Sequence, residues 1–137
     1  MADKISMCII GAGGSYTPEL INGILEHDPE ELPVTSINLY DINEKRLKIM
    51  GELSKRMTAA SGREIAIQYS TDFPAMLKGI NFAVAQVRVG GMDARYLDES
   101  IPMKYGIIGQ ETTGPGGMFK ALRTIPAMLE IANTVAE

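Results

Sequence analysis

The sequence predicts an α/β fold built on a doubly wound parallel sheet. Three observations lead to this prediction. Short apolar segments alternate with segments of helical periodicity, in the order strand, helix, strand, helix, strand, helix, strand. The first strand, residues 5–10, is apolar without strict alternation, which is typical of a strand covered on both faces. A glycine-rich turn then joins that strand to a helix.

The glycine-rich turn has the sequence GAGGSY and covers residues 11–16. Gly11 and Gly13 suit a backbone that bends with positive φ and approaches a ligand closely, and Pro18 suits the first turn of a helix. The free N–H groups and the dipole at a helix N-terminus favour an anion. The turn therefore predicts a Rossmann-like site for the pyrophosphate of a dinucleotide.

This fingerprint is incomplete, because the usual G-x-G-x-x-G pattern has a third glycine where this chain has Tyr16. An ordinary strand-to-helix turn without a ligand is the alternative. The surrounding order of strands and helices favours the nucleotide site, since it provides the structural context that the motif requires.

The next segments continue the pattern. Residues 17–25 form a helix with an apolar stripe of Leu20, Ile21, Ile24 and Leu25. A polar loop, residues 27–33, leads to a second strand over residues 36–40. Asp41 ends this strand, where a carboxylate can bind the adenosine ribose and repel a 2′-phosphate, so we expect NAD to be favoured over NADP. The alternative is that Asp41 helps to start the following helix together with Asn43.

Four further elements complete the predicted sheet. The second helix covers residues 43–60 and ends at Gly62. Its predicted core face consists of Leu47, Met50, Leu53, Met57 and Ala60. Alternating apolar residues at 65, 67 and 69 predict a third strand. A short helix over residues 71–78 and a fourth strand over residues 80–87 follow.

The composition limits the possible partners. The chain has 137 residues, the length of one domain, and 45% of them are hydrophobic, which is ample for a core. A net charge of −4 argues against nucleic acid or an anionic membrane surface as partner, because both require a basic face. The sequence contains neither a bilayer-spanning segment nor a signal peptide, so we expect no membrane partner and a cytoplasmic location.

The single cysteine and the single histidine predict neither a metal site nor a nucleophile. Cys8 lies within the first strand and is expected to be a small core residue. His27 has an acidic residue on each side and is expected on the surface at a helix end. We therefore assign no metal ligands in this chain.

The segment after the fourth strand concentrates glycines with charged and polar residues. It includes RVGG at residues 88–91, Arg95, and GQETTGPGG at residues 109–117. The carboxyl end of a parallel strand is where α/β domains place their ligands, and the planar fork of an arginine suits a phosphate or a carboxylate. This segment therefore predicts ligand contacts.

Three motifs carry a specific resemblance. They are GAGGSYTPEL at residues 11–20, RVGG at residues 88–91 with Arg95, and IPMKYG at residues 101–106 followed by GQET at residues 109–112. With these motifs the chain resembles glycoside hydrolase family 4, and within it the 6-phospho-β-glucosidases. The resemblance covers essentially the whole chain. NAD-dependent members of this family are exceptions to two-carboxylate glycoside hydrolysis.

The resemblance implies hydrolysis by oxidation and elimination. NAD⁺ would take a hydride from C3 of the sugar, and a tyrosine base would then remove the C2 proton. A divalent metal, usually Mn²⁺, would stabilise the enediolate while the aglycone leaves from C1. Addition of water and return of the hydride would complete the cycle. The implied substrate is a phosphorylated disaccharide or glucoside, and the implied assembly is a homo-oligomer.

The resemblance also assigns roles to individual residues. Arg95 matches an arginine that holds the 6-phosphate of the substrate, although it could instead pair with Asp98 or Glu99. Glu111 matches a catalytic glutamate that raises the basicity of the tyrosine base, although it could instead cap loop backbone. The predicted cofactor-binding residues are Gly11, Gly13, Gly14, Ser15, Tyr16, Asp41, Val87 and Arg88.

Residues 1–137 are thus predicted to be one NAD-binding domain, truncated before the catalytic and metal-binding part. Apolar positions at helical spacing over residues 117–137 predict a last helix that kinks or restarts near Thr124, because Pro126 interrupts it. That helix would lack a packing partner. We therefore expect a fragment of a larger enzyme, inactive by itself, with its metal ligands and tyrosine base elsewhere.

Other functions share parts of this pattern. A lactate- or malate-type dehydrogenase has the same strand order and an arginine soon after the fourth strand, but it provides no reason for the GQET segment. Among family 4 enzymes, 6-phospho-α-glucosidases and α-galactosidases are alternatives, although Gly90, Gly91 and residues 119–126 favour β specificity. A nucleotide-binding regulatory module without chemistry is a third class.

Overall fold

The computed structural model describes residues 4–136, which divide into two compact units. The first unit extends to Val87 and the second begins at Arg88. The elements of the first unit are β1 (Ile5–Ile10), α1 (Thr17–Glu26), β2 (Val34–Tyr40), α2 (Glu44–Ser61), β3 (Ala66–Ser70), α3 (Phe73–Leu77) and β4 (Phe82–Ala85). The second unit contains α4 (Gly91–Met103) and α5 (Gly114–Ala136).

The strands of the first unit form one parallel sheet in the order β3-β2-β1-β4. β1 is an inner strand, with β2 on one side of it and β4 on the other. The chain passes from β1 through β2 to the edge strand β3 and then crosses over to β4. The strand order therefore reverses between β1 and β4, and ligands of α/β folds bind at the carboxyl ends of strands at such a point. The predicted doubly wound parallel sheet is confirmed.

Helices cover both faces of this sheet. On one face, α1 and α2 pack on β1 and β2 through a core of buried apolar residues that includes Ile9, Ile21, Ile24, Ile37, Leu39 and Leu47. On the other face, Asn38 Nδ2 donates to Met76 O of α3 at 2.8 Å, and the Tyr40 and Phe73 rings stack at 4.5 Å. Successive residues of a strand point to opposite faces of the sheet, so Asn38 and Tyr40 face α3 whereas Ile37 and Leu39 face the core formed with α1 and α2.

The buried face of α2 differs from the prediction. Its buried positions are Leu47, Gly51, Ser54 and Thr58, while Met50, Leu53 and Met57 are partly buried and Ala60 is exposed. The physical reason is close packing: a Cβ at Gly51 would lie 2.2 Å from Cδ1 of Tyr69. Small residues let this helix approach β3, a preference that a search for apolar side chains does not detect.

The ends of several elements also differ from the prediction. The fourth strand pairs only over Phe82–Ala85, shorter than the predicted residues 80–87. The last helix begins at Gly114 and continues through Pro126 to Ala136. The predicted restart near Thr124 was therefore wrong, whereas the other predicted outcome, a kink, stays a prediction. One proline removes a single backbone hydrogen bond from a helix of 23 residues, and the remaining bonds continue the helix. Glu137, the predicted end of this helix, lies outside the described residues.

The two isolated residues behave as predicted. Cys8 is fully buried, and burial raises the pKa of its thiol to about 11, which makes it an inert core residue. His27 is exposed directly after α1, and its Nδ1 forms a hydrogen bond with Gly23 O at 2.7 Å. Arg63 also binds this helix end, donating from Nη1 to Ile24 O at 2.6 Å.

Candidate functional site

The glycine turn closes over the ends of three parallel strands. Gly11 has a φ of 89°, as predicted, and a Cβ there would lie 2.8 Å from the carbonyl oxygen of Gln86 and 3.2 Å from Cγ1 of Val87. Gly13 does not have positive φ, contrary to the prediction. It must be glycine for a different reason, because a Cβ there would lie 2.8 Å from Oδ2 of Asp41.

Asp41 connects the turn to the end of β2. Its Oδ2 accepts from the Gly13 N–H at 2.8 Å, and its Oδ1 accepts from the Asn43 N–H at 2.7 Å. Asn43 is the N-cap of α2 and accepts from the Arg46 N–H at 3.1 Å. The carboxylate therefore lies beside the turn and supports the start of α2, which is the alternative role considered for it. Its binding of a ribose stays a prediction.

The remaining turn residues lead into α1. The Gly14 N–H donates to Gly11 O at 3.2 Å, and Ser15 and Tyr16 are exposed. Tyr16 is the N-cap residue of α1, with a φ of −80° and 61% of its surface exposed. Its side chain therefore does not lie between helix and strand, which explains why this turn does not require the third glycine of the usual fingerprint.

Two polar residues beneath the turn were not predicted. Thr17 is fully buried; its Oγ1 donates to Ala12 O at 2.9 Å and accepts from Nε2 of Gln86 at 2.6 Å. Gln86 follows β4, and its Nε2 also lies 3.4 Å from Gly11 O. A threonine at the start of a helix and a glutamine after a strand are common, so no sequence signal identified this pair.

In the second unit, two predicted site residues, Arg88 and Arg95, lie next to a third, Glu111, together with Lys120, which was not predicted. Oε2 of Glu111 lies 2.6 Å from Nη1 of Arg88, 3.6 Å from Nε of Arg95 and 3.6 Å from Nζ of Lys120. Arg95 Nε also donates to Glu99 Oε1 at 2.8 Å. Three cations thus face two carboxylates, and this excess of positive charge suits an anionic ligand.

These contacts bear on the alternatives for Arg95 and Glu111. Arg95 pairs with Glu99, one of the two local partners considered for it, and Glu111 forms ion pairs with Arg88, Arg95 and Lys120. The phosphate role of Arg95 and the catalytic role of Glu111 stay predictions. The hydrogen bond from Arg88 holds the pKa of Glu111 below its usual range, against the opposing effect of burial. Glu111 is therefore a carboxylate at neutral pH, and its hydrogen bond to Arg88 fixes its position.

A second ion pair of this unit joins the buried Asp98 to the partly exposed Arg123. Asp98 is 2% exposed and accepts from both terminal nitrogens of Arg123, with Nη1 2.9 Å from Oδ1. Nε of Arg123 donates to Val89 O at 2.9 Å, which ties α5 to the turn that precedes α4. The hydrogen bond from Arg123 lowers the pKa of Asp98. Arg123 was not predicted as a site residue, because its partners are distant in sequence.

Replacing Gly116 by alanine should destabilise the second unit by about 1–3 kcal/mol, the usual cost of overpacking a closely packed site. A Cβ there would lie 2.1 Å from Gln110 O and 2.5 Å from Asp98 O, both backbone atoms that cannot turn away. Gly23→Ala is the matched control, because Gly23 is also helical and has nothing within 4 Å of its Cβ position. Thermal unfolding should show a lower midpoint for Gly116→Ala and not for Gly23→Ala. A midpoint of Gly116→Ala equal to that of the unmutated protein would contradict the close packing of Gly116 against the backbone of Gln110 and Asp98.

The described residues provide no recognisable metal centre. Within residues 4–136, no group of three or more histidine, cysteine, aspartate and glutamate side chains is arranged to hold a metal ion. This part of the chain therefore does not fit Mn²⁺ by itself. In the same range, no helix is both long enough and apolar enough to cross a bilayer.

Comparison with known proteins decides the family. The sequence model described as "Family 4 glycosyl hydrolase" matches residues 6–137. The chain belongs to this family. This family match does not favour the dehydrogenase alternative.

Individual family 4 proteins are similar over nearly the whole chain. It is 48% identical to "Probable 6-phospho-beta-glucosidase" of Bacillus subtilis and 41% identical to 6-phospho-beta-glucosidase of Escherichia coli, in each case over 100% of this chain and 31% of the relative. The chain thus spans about 31% of the length of these relatives.

Solved family 4 structures have the same fold. The 6-phospho-beta-glucosidase of Thermotoga maritima, solved with manganese, NAD⁺ and glucose-6-phosphate, matches 96% of this chain and 31% of its own, with a TM-score of 0.87 and 38% identity. A 6-phospho-alpha-glucosidase from gut microorganisms, solved with NAD and Mn²⁺, matches 97% of this chain and 30% of its own, with a TM-score of 0.90 and 34% identity.

Proposed function

We propose that this chain is the NAD-binding N-terminal portion of a metal-dependent 6-phospho-β-glucosidase. The observation that carries the proposal is the identity of 48%, 41% and 39% to three 6-phospho-beta-glucosidases, against 35% to a 6-phospho-alpha-glucosidase. The full protein would hydrolyse phosphorylated β-glucosides by oxidation at C3, deprotonation at C2 and elimination of the aglycone. 6-Phospho-α-glucosidase and α-galactosidase activities are the family 4 alternatives.

The glycine turn fits a dinucleotide. Gly11 turns the chain with a φ of 89°, Gly13 lets Asp41 approach the turn closely, and the N-terminus of α1 adds a dipole that favours an anion. The pyrophosphate would be held by the residues of this turn, Gly11, Gly13, Gly14, Ser15 and Tyr16. Val87 and Arg88, which follow β4 in the sequence, are the remaining proposed cofactor-binding residues. When bound, NAD⁺ supplies the hydride acceptor. Asp41 would accept hydrogen bonds from the adenosine ribose.

The cluster around Glu111 would receive the charged part of the substrate. Arg95 Nε contacts Glu99, so this ion pair does not use the fork formed by its two terminal nitrogens, which would bind the 6-phosphate. Glu111, kept ionised by Arg88, would orient and increase the basicity of a tyrosine base elsewhere in the protein. The described residues do not fit a metal site, so we place the metal ligands outside them. A cytoplasmic location and a homo-oligomeric state stay predictions.

The proposal is tested with the full-length protein in the presence of NAD⁺ and Mn²⁺. Chromogenic 6-phospho-β-glucoside, its α anomer and the unphosphorylated β-glucoside are offered separately. Turnover that prefers the phosphorylated β substrate supports the proposal. Preference for the α anomer would support the family 4 alternative, and oxidation of a hydroxy acid without glycoside cleavage would support a dehydrogenase.

Replacing Arg95 by alanine in the full-length enzyme should raise KM for a 6-phospho-β-glucoside by about 10²-fold, since hydrogen bonds between charged groups contribute about 1.5–3 kcal/mol. The same change should alter turnover of the unphosphorylated glucoside far less, because that substrate lacks the phosphate. Arg56→Ala, on the exposed side of α2, is the control and should leave both substrates unaffected. Equal losses on both substrates would show that Arg95 acts by supporting Glu99 and Glu111.

A further inference from the structure

A chain of hydrogen bonds runs beneath the glycine turn from β4 to β2. Gln86 Nε2 donates to Thr17 Oγ1 at 2.6 Å, and this hydroxyl donates to Ala12 O at 2.9 Å. The next donor along the backbone, the Gly13 N–H, bonds to Asp41 Oδ2 at 2.8 Å. All these residues belong to the first unit.

The two halves of this chain of bonds share one peptide group. The carbonyl of Ala12 and the N–H of Gly13 belong to the same planar, trans peptide, so they point in opposite directions and rotate together. The bond from Thr17 to Ala12 O therefore sets the direction of the Gly13 N–H. That N–H is one of two backbone donors that orient the Asp41 carboxylate; it bonds to Oδ2, and the Asn43 N–H bonds to Oδ1.

Gln86 occupies its place at a cost. Its Oε1 is buried and has no hydrogen-bond partner among residues 4–136. A buried acceptor without a partner lowers stability, and an apolar side chain of the same length would avoid that cost. The donors on Nε2 are the part of this side chain that the turn uses, because they contact Thr17 and Gly11 O.

We propose that Gln86 and Thr17 are positioning residues that hold the Ala12–Gly13 peptide and thereby orient Asp41 toward the ribose of the bound dinucleotide. This proposal deepens the proposed NAD-binding function and rests on it. Neither residue needs to touch the cofactor. Thr17 is fully buried, and both act through the peptide plane on the carboxylate that distinguishes NAD from NADP.

The test uses the full-length protein with variants Thr17→Val, Thr17→Ser and Gln86→Met. Thr17→Val removes both hydrogen bonds of Oγ1. Titration calorimetry should show an NAD dissociation constant about tenfold higher for this variant, the effect of losing the bond that orients the Ala12–Gly13 peptide, and Thr17→Ser should restore the affinity. Gln86→Met should also weaken NAD binding by several-fold, while its unfolding midpoint does not fall, because the unpaired oxygen is removed together with the donors. If Gln86 only stabilised the fold, Gln86→Met would lower the unfolding midpoint and the NAD affinity together.

Thr58→Val is the matched control. Thr58 is 5% exposed in α2, and its Oγ1 donates to Lys55 O at 2.9 Å, so the same substitution removes the same kind of bond away from the turn. It should lower the unfolding midpoint and leave the NAD dissociation constant unchanged. The proposal is overturned if Thr17→Val binds NAD as tightly as the unmutated protein, or if Thr58→Val weakens NAD binding equally.

Hydrogen exchange without cofactor provides an independent result. The peptide that contains Gly13 should exchange faster in Thr17→Val and Gln86→Met than in the unmutated protein, and at the unchanged rate in Thr58→Val. If the Gly13 amide exchanges at the same rate in the three variants and in the unmutated protein, Gln86 and Thr17 do not hold the Ala12–Gly13 peptide group. This outcome overturns the proposal whatever the NAD dissociation constants are. If the unmutated protein binds no NAD, the proposed function fails, and the exchange rates still decide whether Gln86 and Thr17 hold the turn.

Discussion

Replacing Asp41 by alanine should weaken NAD binding by about 10²-fold, because hydrogen bonds to a charged group contribute about 1.5–3 kcal/mol and this carboxylate is expected to bind the ribose. NADP binding should change much less, since the substitution also removes a negative charge that repels the 2′-phosphate. The unmutated protein should therefore prefer NAD, and Asp41→Ala should narrow the preference. Titration calorimetry with both nucleotides measures the two constants.

The structure adds a second effect to this substitution, because Asp41 also accepts from the Gly13 N–H and the Asn43 N–H. Asp41→Asn separates the loss of charge from the loss of these backbone hydrogen bonds. Its amide oxygen can still accept one of the bonds, but the negative charge is lost. It should regain part of the NAD affinity and keep the narrowed preference. Asp72→Ala is the control, because Asp72 caps α3 by accepting from the Ala75 N–H, outside the turn. Equal or tighter binding of NADP by the unmutated protein would contradict the role of Asp41.

The 137-residue chain by itself should show no glycosidase turnover. It spans about 31% of the length of its two most similar 6-phospho-beta-glucosidase relatives reported above, and its described residues form no group able to hold a metal. Removal of the C2 proton from the oxidised sugar requires a base and stabilisation of the enediolate, for which we expect residues elsewhere in the enzyme. NAD binding should nevertheless persist, because the turn, Asp41 and the sheet lie within the first unit.

The measurement is an assay of the purified chain with a chromogenic 6-phospho-β-glucoside, NAD⁺ and Mn²⁺, beside the full-length protein under the same conditions. Gly13→Val supplies the control for any residual signal, since its side chain would collide with Asp41 and should abolish cofactor binding. Turnover that follows the chain through purification and disappears in Gly13→Val would contradict this prediction. Residual turnover that persists in Gly13→Val identifies a contaminating glucosidase.

Local signals in the sequence determined the architecture. Periodic apolar residues predicted four strands and the helices between them, and the turn chemistry of Gly11 and Pro18 located the start of α1. The same kind of signal placed Asp41 at the end of β2, Cys8 in the core and His27 on the surface. These features depend on residues within a few positions of each other, which is why a single sequence reveals them.

The tertiary structure alone decided which distant side chains meet. Gln86 contacts Thr17 across 69 positions, and Asp98 pairs with Arg123 across 25. The small residues on the buried face of α2 and the close approach of Asp41 to Gly13 also depend on how elements pack. Periodicity records which face of an element is buried, whereas a hydrogen bond between elements depends on register, distance and orientation, which only the folded chain defines.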